Sequence, residues 1–292
     1  MSDYINAIEI KDVIKTYNDF KLDNISFELP KGCIMGFIGQ NGAGKTTTIR
    51  SMLNIAEIDF GEIKLLGLDH IKDEMEIKKR IAVIFDDMPF QESLNAYDME
   101  KIMSGIYPDW NGLLFDRYLD YFKIPMYKKI KHYSKGMKMK LQIVCAFSHH
   151  AELIIMDEPT AGLDPIVRDE MLSLFREYMQ EGECSILMSS HITSDLEKIA
   201  DMITFIDKGK IMLSGYKDDI LFDHGIIKCS QYDAIMMSKK DIVSKRINSF
   251  GAEVMVRGRE KMAAKYPAFN IEPVGLDDIM LYYAHEKQKE WS

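Results

Sequence analysis

The sequence lacks any apolar run long enough to cross a membrane. Its apolar runs, such as residues 153–156, fall far short of the ~20 residues that a transmembrane helix needs. No secretory signal is predicted, because Asp3, Asn6 and Glu9 interrupt the start of the chain. The four cysteines are widely scattered, which suits neither a zinc site nor an iron–sulfur cluster and predicts reduced thiols in a cytosolic protein.

The chain also lacks an excess of basic residues. Its formal net charge is −9, which argues against a nucleic acid partner, since such a partner requires a basic surface. Charged residues make up 28% and hydrophobic residues 47% of the 292 positions, as in an ordinary soluble globular protein. This length predicts one large domain or about two domains with a buried core.

The sequence does contain a glycine-rich loop between a predicted strand and a predicted helix. The loop follows an apolar run, residues 33–38, and reads Gly39-Gln40-Asn41-Gly42-Ala43-Gly44-Lys45-Thr46-Thr47. In this pattern the glycines let backbone N–H groups turn toward a β-phosphate, and Lys45 brings a positive charge to the β- and γ-phosphate oxygens. The Thr46 hydroxyl is placed for Mg²⁺, and the helix that follows adds its N-terminal dipole. The loop therefore predicts a nucleoside triphosphate site.

A second apolar run ends in two acids. Residues 153–158 read Leu-Ile-Ile-Met-Asp-Glu, as expected of a buried parallel strand whose carboxyl end carries a site. Asp157 is expected in the Mg²⁺ shell, and Glu158 is placed to polarise an attacking water. Phosphoryl transfer needs little more from a protein than such positioning and charge stabilisation.

Three further segments occur in a fixed order with these two. They are Tyr133-Ser134-Lys135-Gly136-Met137, Ala161-Gly162-Leu163-Asp164-Pro165 and Ser189-Ser190-His191. With them, residues 5 to about 215 resemble the nucleotide-binding subunits of ABC transporters, of the ABC-2 exporter kind. The segments match that family's Walker A, Walker B, signature, D-loop and switch histidine. The resemblance implies an α/β P-loop NTPase of the ABC ATPase type, with a mixed sheet core, an antiparallel β subdomain and an α-helical subdomain at about 88–150.

The resemblance also implies roles across a dimer. Two such domains pair head to tail and enclose two ATP molecules, each between the Walker A of one chain and the signature of the other. Ser134, Gly136 and Met137 are then expected at the nucleotide bound by the partner. Glu158 is expected as the general base, and His191 as the residue that contacts the γ-phosphate.

Adenine and Mg²⁺ are assigned in the same way. Tyr17 stands where the family stacks an aromatic ring on adenine, although Phe20 is a rival ring and strand packing is an alternative role for Tyr17. For Mg²⁺ the expected ligands are Thr46, Asp157 and Asp86. The cofactors implied are thus ATP and Mg²⁺.

Two positions depart from the family pattern. Asp86 follows the predicted strand at 81–85 where the family usually has a glutamine that reaches Mg²⁺ and the attacking water. A carboxylate suits this hard cation, but Asp is one methylene shorter than Gln, so a closer loop or a bridging water is needed. In the signature, Tyr133 and Lys135 replace the commonest Leu and Gly, while Ser134 and Gly136 are retained.

The ATPase pattern stops near residue 217, after a predicted hairpin turn at Lys208-Gly209-Lys210. We therefore predict an ABC ATPase domain over residues 1–219 and a small C-terminal α+β region over 220–292. Strands are expected at 225–228 and 252–256, and helices at 238–248 and 276–285. The predicted role of this region is contact with its own copy or with a sister ATPase.

These observations predict an ATP-hydrolysing subunit that powers a separate integral membrane permease, by resemblance an exporter of a peptide, drug or other amphipathic compound. It is expected at the cytoplasmic face of the cell membrane, as a homodimer or as a heterodimer with a second ABC ATPase. Three alternatives remain: a soluble ABC ATPase acting on ribosomes, a chromosome-associated ATPase, and a weakly hydrolysing regulatory partner. The single phosphate loop opposes the first and the absence of a long heptad arm the second, while Glu158 and His191 oppose the third.

Overall fold

The computed structural model describes residues 5–87, 89–181 and 184–285. The strands are β1 Asn6–Thr16, β2 Lys21–Pro30, β3 Ile34–Ile38, β4 Phe60–Leu65, β5 Leu68–Asp69, β6 Ile81–Ile84, β7 Leu153–Asp157, β8 Ser185–Ser190, β9 Met202–Asp207, β10 Lys210–Tyr216, β11 His224–Cys229, β12 Ile242–Asn248, β13 Gly251–Arg257 and β14 Ile271–Glu272. The helices are α1 Lys45–Met52, α2 Glu74–Arg80, α3 Ala96–Ile106, α4 Gly112–Tyr121, α5 Lys135–Phe147, α6 Pro165–Glu181, α7 Thr193–Ile199, α8 Lys217–Asp223, α9 Gln231–Met236, α10 Arg259–Lys265 and α11 Leu276–His285. Within these described ranges, no helix is both long enough and apolar enough to span a bilayer.

A six-stranded sheet carries the predicted phosphate loop. Its order is β10-β9-β3-β8-β7-β6, and all neighbours are parallel except β9 and β10. Every residue of β3, β7 and β8 is buried, as expected of parallel strands in a sheet that is covered on both faces. The carboxyl ends of β3, β7 and β8 therefore meet at one edge, and the loop, the two acids and the switch histidine follow them there.

An antiparallel sheet of order β2-β1-β4-β5 forms the second layer. Its apolar side packs on the central sheet around buried Ile8, Leu22 and Phe37. The predicted hairpin turn is confirmed: Lys208 and Gly209 both have positive φ, and they join β9 to β10. Gly209 donates its N–H to the Ala43 carbonyl at 2.8 Å. The turn thus holds the phosphate loop in place through this backbone hydrogen bond.

The stretch predicted to be helical contains α3, α4, a short 3₁₀ helix and α5. Asn95 begins α3 with a capping box shared with Asp98, and Asn111 caps α4 through the Leu114 N–H. Tyr133, which replaces the usual leucine, is buried and donates its hydroxyl to the Pro125 carbonyl at 2.8 Å. A tyrosine fits this position because its ring is buried while its hydroxyl still has a partner.

The C-terminal region is a four-stranded antiparallel sheet of order β12-β13-β11-β14 with three helices. The strands predicted at 225–228 and 252–256 and the helix at 276–285 are confirmed. The helix predicted over 238–248 is wrong, because residues 242–248 form β12 and pair with β13. The β-branched residues Ile242, Val243 and Ile247 favour a strand once such a partner is present.

The last helix packs against the ATPase core rather than only against its own sheet. Leu276 and Ile279 of α11 belong to the same buried cluster as Leu196 and Ile199 of α7. The ring of Tyr283 also meets Phe205 of β9 edge-on, with a centroid separation of 6.5 Å. The C-terminal region therefore shares the main hydrophobic core through α11.

Candidate functional site

The glycines of the phosphate loop stand at positions where a side chain would clash or would strain the backbone. A Cβ on Gly39 would lie 2.6 Å from the Ile206 carbonyl oxygen, and one on Gly44 would lie 2.9 Å from the Phe20 ring. Gly42 and Gly44 also have φ values of 80° and 118°, a region that L side chains rarely adopt. The loop between β3 and α1 is thus a bare backbone cradle of the shape that phosphate binding requires.

Lys45 is buried at the base of this cradle, with only 5% of its surface exposed. Its ammonium group donates to the Gly39 carbonyl at 2.7 Å and lies 3.0 Å from Glu158 Oε1. A buried ammonium group needs such partners, because an unpaired charge is costly away from water. The Lys45 ammonium group is therefore fixed near the N-terminus of α1, where phosphate oxygens would replace or join its present partners.

Glu158 occupies the centre of the site. Its backbone has a φ of 53°, which turns the chain sharply at the end of β7. Its carboxylate lies between two partners, with Oε1 3.0 Å from Lys45 Nζ and Oε2 2.7 Å from His191 Nδ1. A positive φ at a non-glycine residue is uncommon and is found often at functional sites. The structure thus brings both predicted catalytic residues into direct contact.

One functional residue that sequence reasoning missed is Ser189. This fully buried serine donates its hydroxyl to Asp157 Oδ1 at 2.7 Å and accepts the Glu158 N–H at 3.0 Å. The parallel register places Asp157 directly beside it. The sequence signal was a pair of serines, Ser189 and Ser190, that follows an apolar run and precedes the predicted switch histidine. Ser189 holds both acids of the Walker B segment with one hydroxyl.

A cleft of about 640 Å³ opens over the phosphate loop. The predicted residues that line it are Tyr17, Gln40, Asn41, Gly42, Gly44, Lys45, Thr46, Thr47 and Glu158. Phe20 lines it too, but its ring packs against Gly44. Tyr17 has 46% of its surface exposed, and the Lys15 ammonium group lies 5.3 Å from its ring centroid. Tyr17 therefore has the freer ring face.

The residues predicted to hold Mg²⁺ supply only hard oxygen donors, which fits that ion. Thr46 is exposed in the cleft, and Asp157 is buried with one oxygen bonded to Ser189. Within residues 5–87, 89–181 and 184–285, no three His, Cys, Asp or Glu side chains cluster as a complete metal site. A cation here would need phosphate oxygens as well, as expected of a magnesium–nucleotide site.

The two departures from the family pattern contact each other. Asp86 Oδ1 lies 2.6 Å from the Lys135 ammonium group, and each side chain is about half exposed. The Lys135 side chain passes beside Gly162 of the predicted D-loop, where an added Cβ would lie 3.3 Å from Nζ. Gln142 of α5 fixes the same loop by bonding the Phe85 backbone at 3.1 and 3.2 Å. Asp86 thus faces the signature segment rather than the lining of the cleft.

The signature residues lie away from the cleft of their own chain. Ser134 is exposed and caps α5 by accepting the Met137 N–H at 3.2 Å. A Cβ on Gly136 would meet only Leu163 and Val167, at ordinary distances of 3.8 and 3.9 Å. Among the residues that the structure describes, none therefore requires a glycine at 136. Its missing side chain leaves the beginning of α5 open to an outside group.

A second, mostly apolar groove of about 390 Å³ lies between the loop after β6 and the helical part. Its walls include Phe85, Pro89, Phe90, Ile106 and Tyr107. His149 lines it as well, with its ring stacked on Tyr107 at a centroid distance of 4.0 Å. The groove adjoins Asp86, so it is connected to the nucleotide side of the molecule through a single short loop.

Comparison with known proteins gives consistent matches. A family profile described as ABC transporter matches residues 22–161. The bacitracin transport ATP-binding protein BcrA of Bacillus licheniformis is 36% identical over 220 residues, 74% of this chain and 70% of that protein. The lantibiotic transport ATP-binding protein SrtF of Streptococcus pyogenes is 30% identical over 217 residues, 70% of this chain and 89% of that protein.

Solved structures agree with these sequence matches. An ATP-binding subunit of an ABC transporter superposes with a TM-score of 0.67 at 29% identity, over 73% of this chain and 91% of that one. A nucleotide-free ATP-binding cassette from an ABC transporter gives a TM-score of 0.62 at 21% identity, over 72% and 91%. The second match, at this identity, supports the fold alone.

Proposed function

Because the chain belongs to the ABC transporter ATP-binding proteins, we propose that it hydrolyses ATP to drive a separate integral membrane permease. The predicted family, the predicted α/β ABC ATPase fold and the predicted ATP hydrolase activity are confirmed by the relatives and the solved structures. Two relatives are named for bacitracin and lantibiotic transport. These names support export of a peptide, drug or other amphipathic compound as the transport task.

The observation that carries this proposal is the Lys45–Glu158–His191 contact beneath a bare glycine cradle. In hydrolysis a water oxygen forms a bond to the γ-phosphorus while the bond to the β-phosphate oxygen breaks. Glu158 is the base that takes the water proton, and His191 and Lys45 face the γ-phosphate oxygens. Before Glu158 can act, Lys45 must exchange this carboxylate for phosphate, which its position at the base of the loop allows.

Mg²⁺ would be held by Thr46 and Asp157, and by Asp86, directly or through a water, once that carboxylate exchanges Lys135 for the ion. When bound, the ion would compensate the negative charge of the phosphate oxygens. Ser189 fixes Asp157, so one oxygen of that carboxylate is oriented before any cation arrives. Tyr17 is the proposed adenine-stacking ring because its face remains exposed beside the cleft.

The signature residues support a head-to-tail dimer. Ser134, Gly136 and Met137 begin α5, whose exposed N-terminus and missing side chain suit an anion from another chain. We propose that they contact the nucleotide held by a second ATPase, either a copy of this chain or a sister protein. Residues 1–219 are proposed as the ATPase domain, and 220–292 as an accessory region that contributes to that pairing.

The apolar groove beside Asp86 is the proposed contact with the permease. Its walls are mostly hydrophobic and aromatic, and a short apolar helix end from a membrane subunit would fit a groove of that size and character. We therefore propose that the chain lies at the cytoplasmic face of the cell membrane, bound through the permease. Movement of the loop that carries Asp86 would link the groove to the nucleotide.

Co-purification tests the proposal. The tagged chain, expressed at native level, should be recovered from mildly solubilised membranes with an integral membrane protein at near-equal stoichiometry. A Phe90→Asp variant should lose that protein and keep its ATPase activity, whereas Leu113→Asp, at an exposed position in α4 outside the groove, should retain both. Recovery of the parent chain with ribosomes, or alone in the soluble fraction, would refute the transport assignment.

A further inference from the structure

Helix α7 begins two residues after the switch histidine and is bonded to the C-terminal region. The Thr193 side chain is buried, and its hydroxyl donates to an Asp277 carboxylate oxygen at the beginning of α11. In a second bond α11 is the donor, because the Leu276 N–H donates to Glu197 Oε1 at 2.7 Å. Two polar bonds thus tie the first and last turns of α7 to the N-terminus of α11.

The same helix is bonded to the segment that carries the catalytic base. Asp195 is 2% exposed and accepts the Thr160 hydroxyl at 2.8 Å. Thr160 lies two residues beyond Glu158, in the loop that leads to the D-loop. Arg168 of α6 stands 3.8 Å from the same Asp195 carboxylate. Helix α7 is therefore held between the Walker B segment and the C-terminal region.

Hydrophobic packing also couples α7 to α11. Leu196 and Ile199 are almost fully buried in one cluster with Leu276 and Ile279. Close-packed side chains have discrete arrangements and resist small relative shifts. A displacement of α11 would therefore move α7, and with it His191, which lies two residues before the start of α7.

We propose that Asp277 is a positioning residue for His191: through Thr193 it fixes the start of α7 and so holds the His191 ring against Glu158. The inference rests on the proposed roles of His191 and Glu158. The 2.7 Å contact between His191 Nδ1 and Glu158 Oε2 depends on where the chain leaves β8. The C-terminal region thereby contributes to hydrolysis without touching the nucleotide.

The test compares two neighbouring acids in the full-length protein. Asp277→Ala removes the acceptor of the Thr193 hydroxyl, whereas Asp278→Ala removes the acceptor of the Gly275 N–H, just before the start of α11. For Asp277→Ala we expect kcat to fall about tenfold, since small misplacements of catalytic groups have effects of this size or larger, with KM changed by less than about twofold. Asp278→Ala should keep kcat, and Asp277→Asn, which retains an oxygen acceptor, should restore most of it.

A double-mutant cycle identifies the route of the effect. Thr193→Val keeps the side-chain shape and removes the hydroxyl, so it should lower kcat like Asp277→Ala. The two changes together should do no more than either one alone. Additive losses, or an unchanged kcat in Asp277→Ala, would overturn the proposal. The proposal would also be overturned if Asp277→Ala and Asp278→Ala lost kcat equally and these losses paralleled their decreases in melting temperature.

The His191→Ala variant separates this inference from the proposed site. If His191→Ala hydrolyses ATP at the parent rate, the role of the switch histidine is wrong. If His191→Ala is inactive while Asp277→Ala has the parent kcat, only the inference on the C-terminal region fails.

Discussion

Replacing Ser189 with alanine should separate stability from catalysis. The Ser189 hydroxyl bonds the Asp157 carboxylate at 2.7 Å and the Glu158 N–H at 3.0 Å, and it is fully buried. The substitution leaves one partly buried N–H without this partner, which costs at most about 1–3 kcal/mol, and removes a charge-assisted bond worth about 1.5–3 kcal/mol. Both losses act on groups that must be oriented for hydrolysis.

The strand provides its own control. Ser185 begins β8, is equally buried, and accepts the Gly32 N–H at 2.9 Å, at the opposite end from the acids. Ser185→Ala should therefore also lower the free energy of unfolding by about 1–3 kcal/mol. If about half of the Ser189 bond energy is expressed in the transition state, kcat of Ser189→Ala should fall about 10- to 100-fold. Ser185→Ala should stay within about twofold of the parent.

Steady-state phosphate release and chemical denaturation measure these two effects separately. Fluorescent-nucleotide titration should show that ATP affinity changes little in either variant, because neither hydroxyl belongs to the phosphate cradle. A Ser189→Ala protein with the parent kcat would refute the reasoning. An equal kcat loss in Ser185→Ala would do so as well, since it would trace the effect to general destabilisation.

Glu158→Gln should lower the single-turnover rate of ATP hydrolysis at least about 100-fold, because it removes the base while keeping the size of the side chain. Its nucleotide affinity should persist. Equal turnover in the parent and the Glu158→Gln variant would favour a weakly hydrolysing regulatory module. Asp86→Ala should lower turnover much more than ATP binding, and its effect should be non-additive with Lys135→Ala; unchanged turnover would exclude Asp86 from the site. Burial lowers the pKa of His149 and of His224. As the pH falls, these histidines are therefore protonated in the unfolded state before they are protonated in the folded state. Stability should then be complete above about pH 6.5 and decline toward pH 5; urea midpoints independent of pH across this range would contradict the assignment.

Local patterns predicted those parts of the site that are contiguous in the chain. The phosphate loop, the hairpin turn at Gly209 and the helix over 276–285 each depend on a few neighbouring residues, so spacing and turn chemistry were sufficient to find them. The helix predicted over 238–248 failed because its β-branched residues pair with β13, and that pairing is a long-range contact. Periodicity within a short segment cannot reveal the partner strand.

Contacts between distant segments were the part that sequence reasoning missed. In the sequence Ser189 is only a neighbour of the switch histidine, whereas in the structure its hydroxyl joins both acids. Asp86 and Lys135 each depart from the family pattern, but only the structure shows them as an ion pair. These pairings depend on strand register and on helix packing, neither of which a single sequence specifies.

The order of strands in the central sheet has a consequence for synthesis of the protein on the ribosome. Strand β3, which carries the phosphate loop, pairs with β8 through Ile34 and Ile186 and with β9 through Met35 and Met202. Its partners are therefore translated long after it, and such non-local pairing is slow to form. A nascent chain that ends before β9 has the complete loop sequence but not the sheet that shapes it. ATP can thus bind and stabilise the fold only late in synthesis, when most of the ATPase has already emerged.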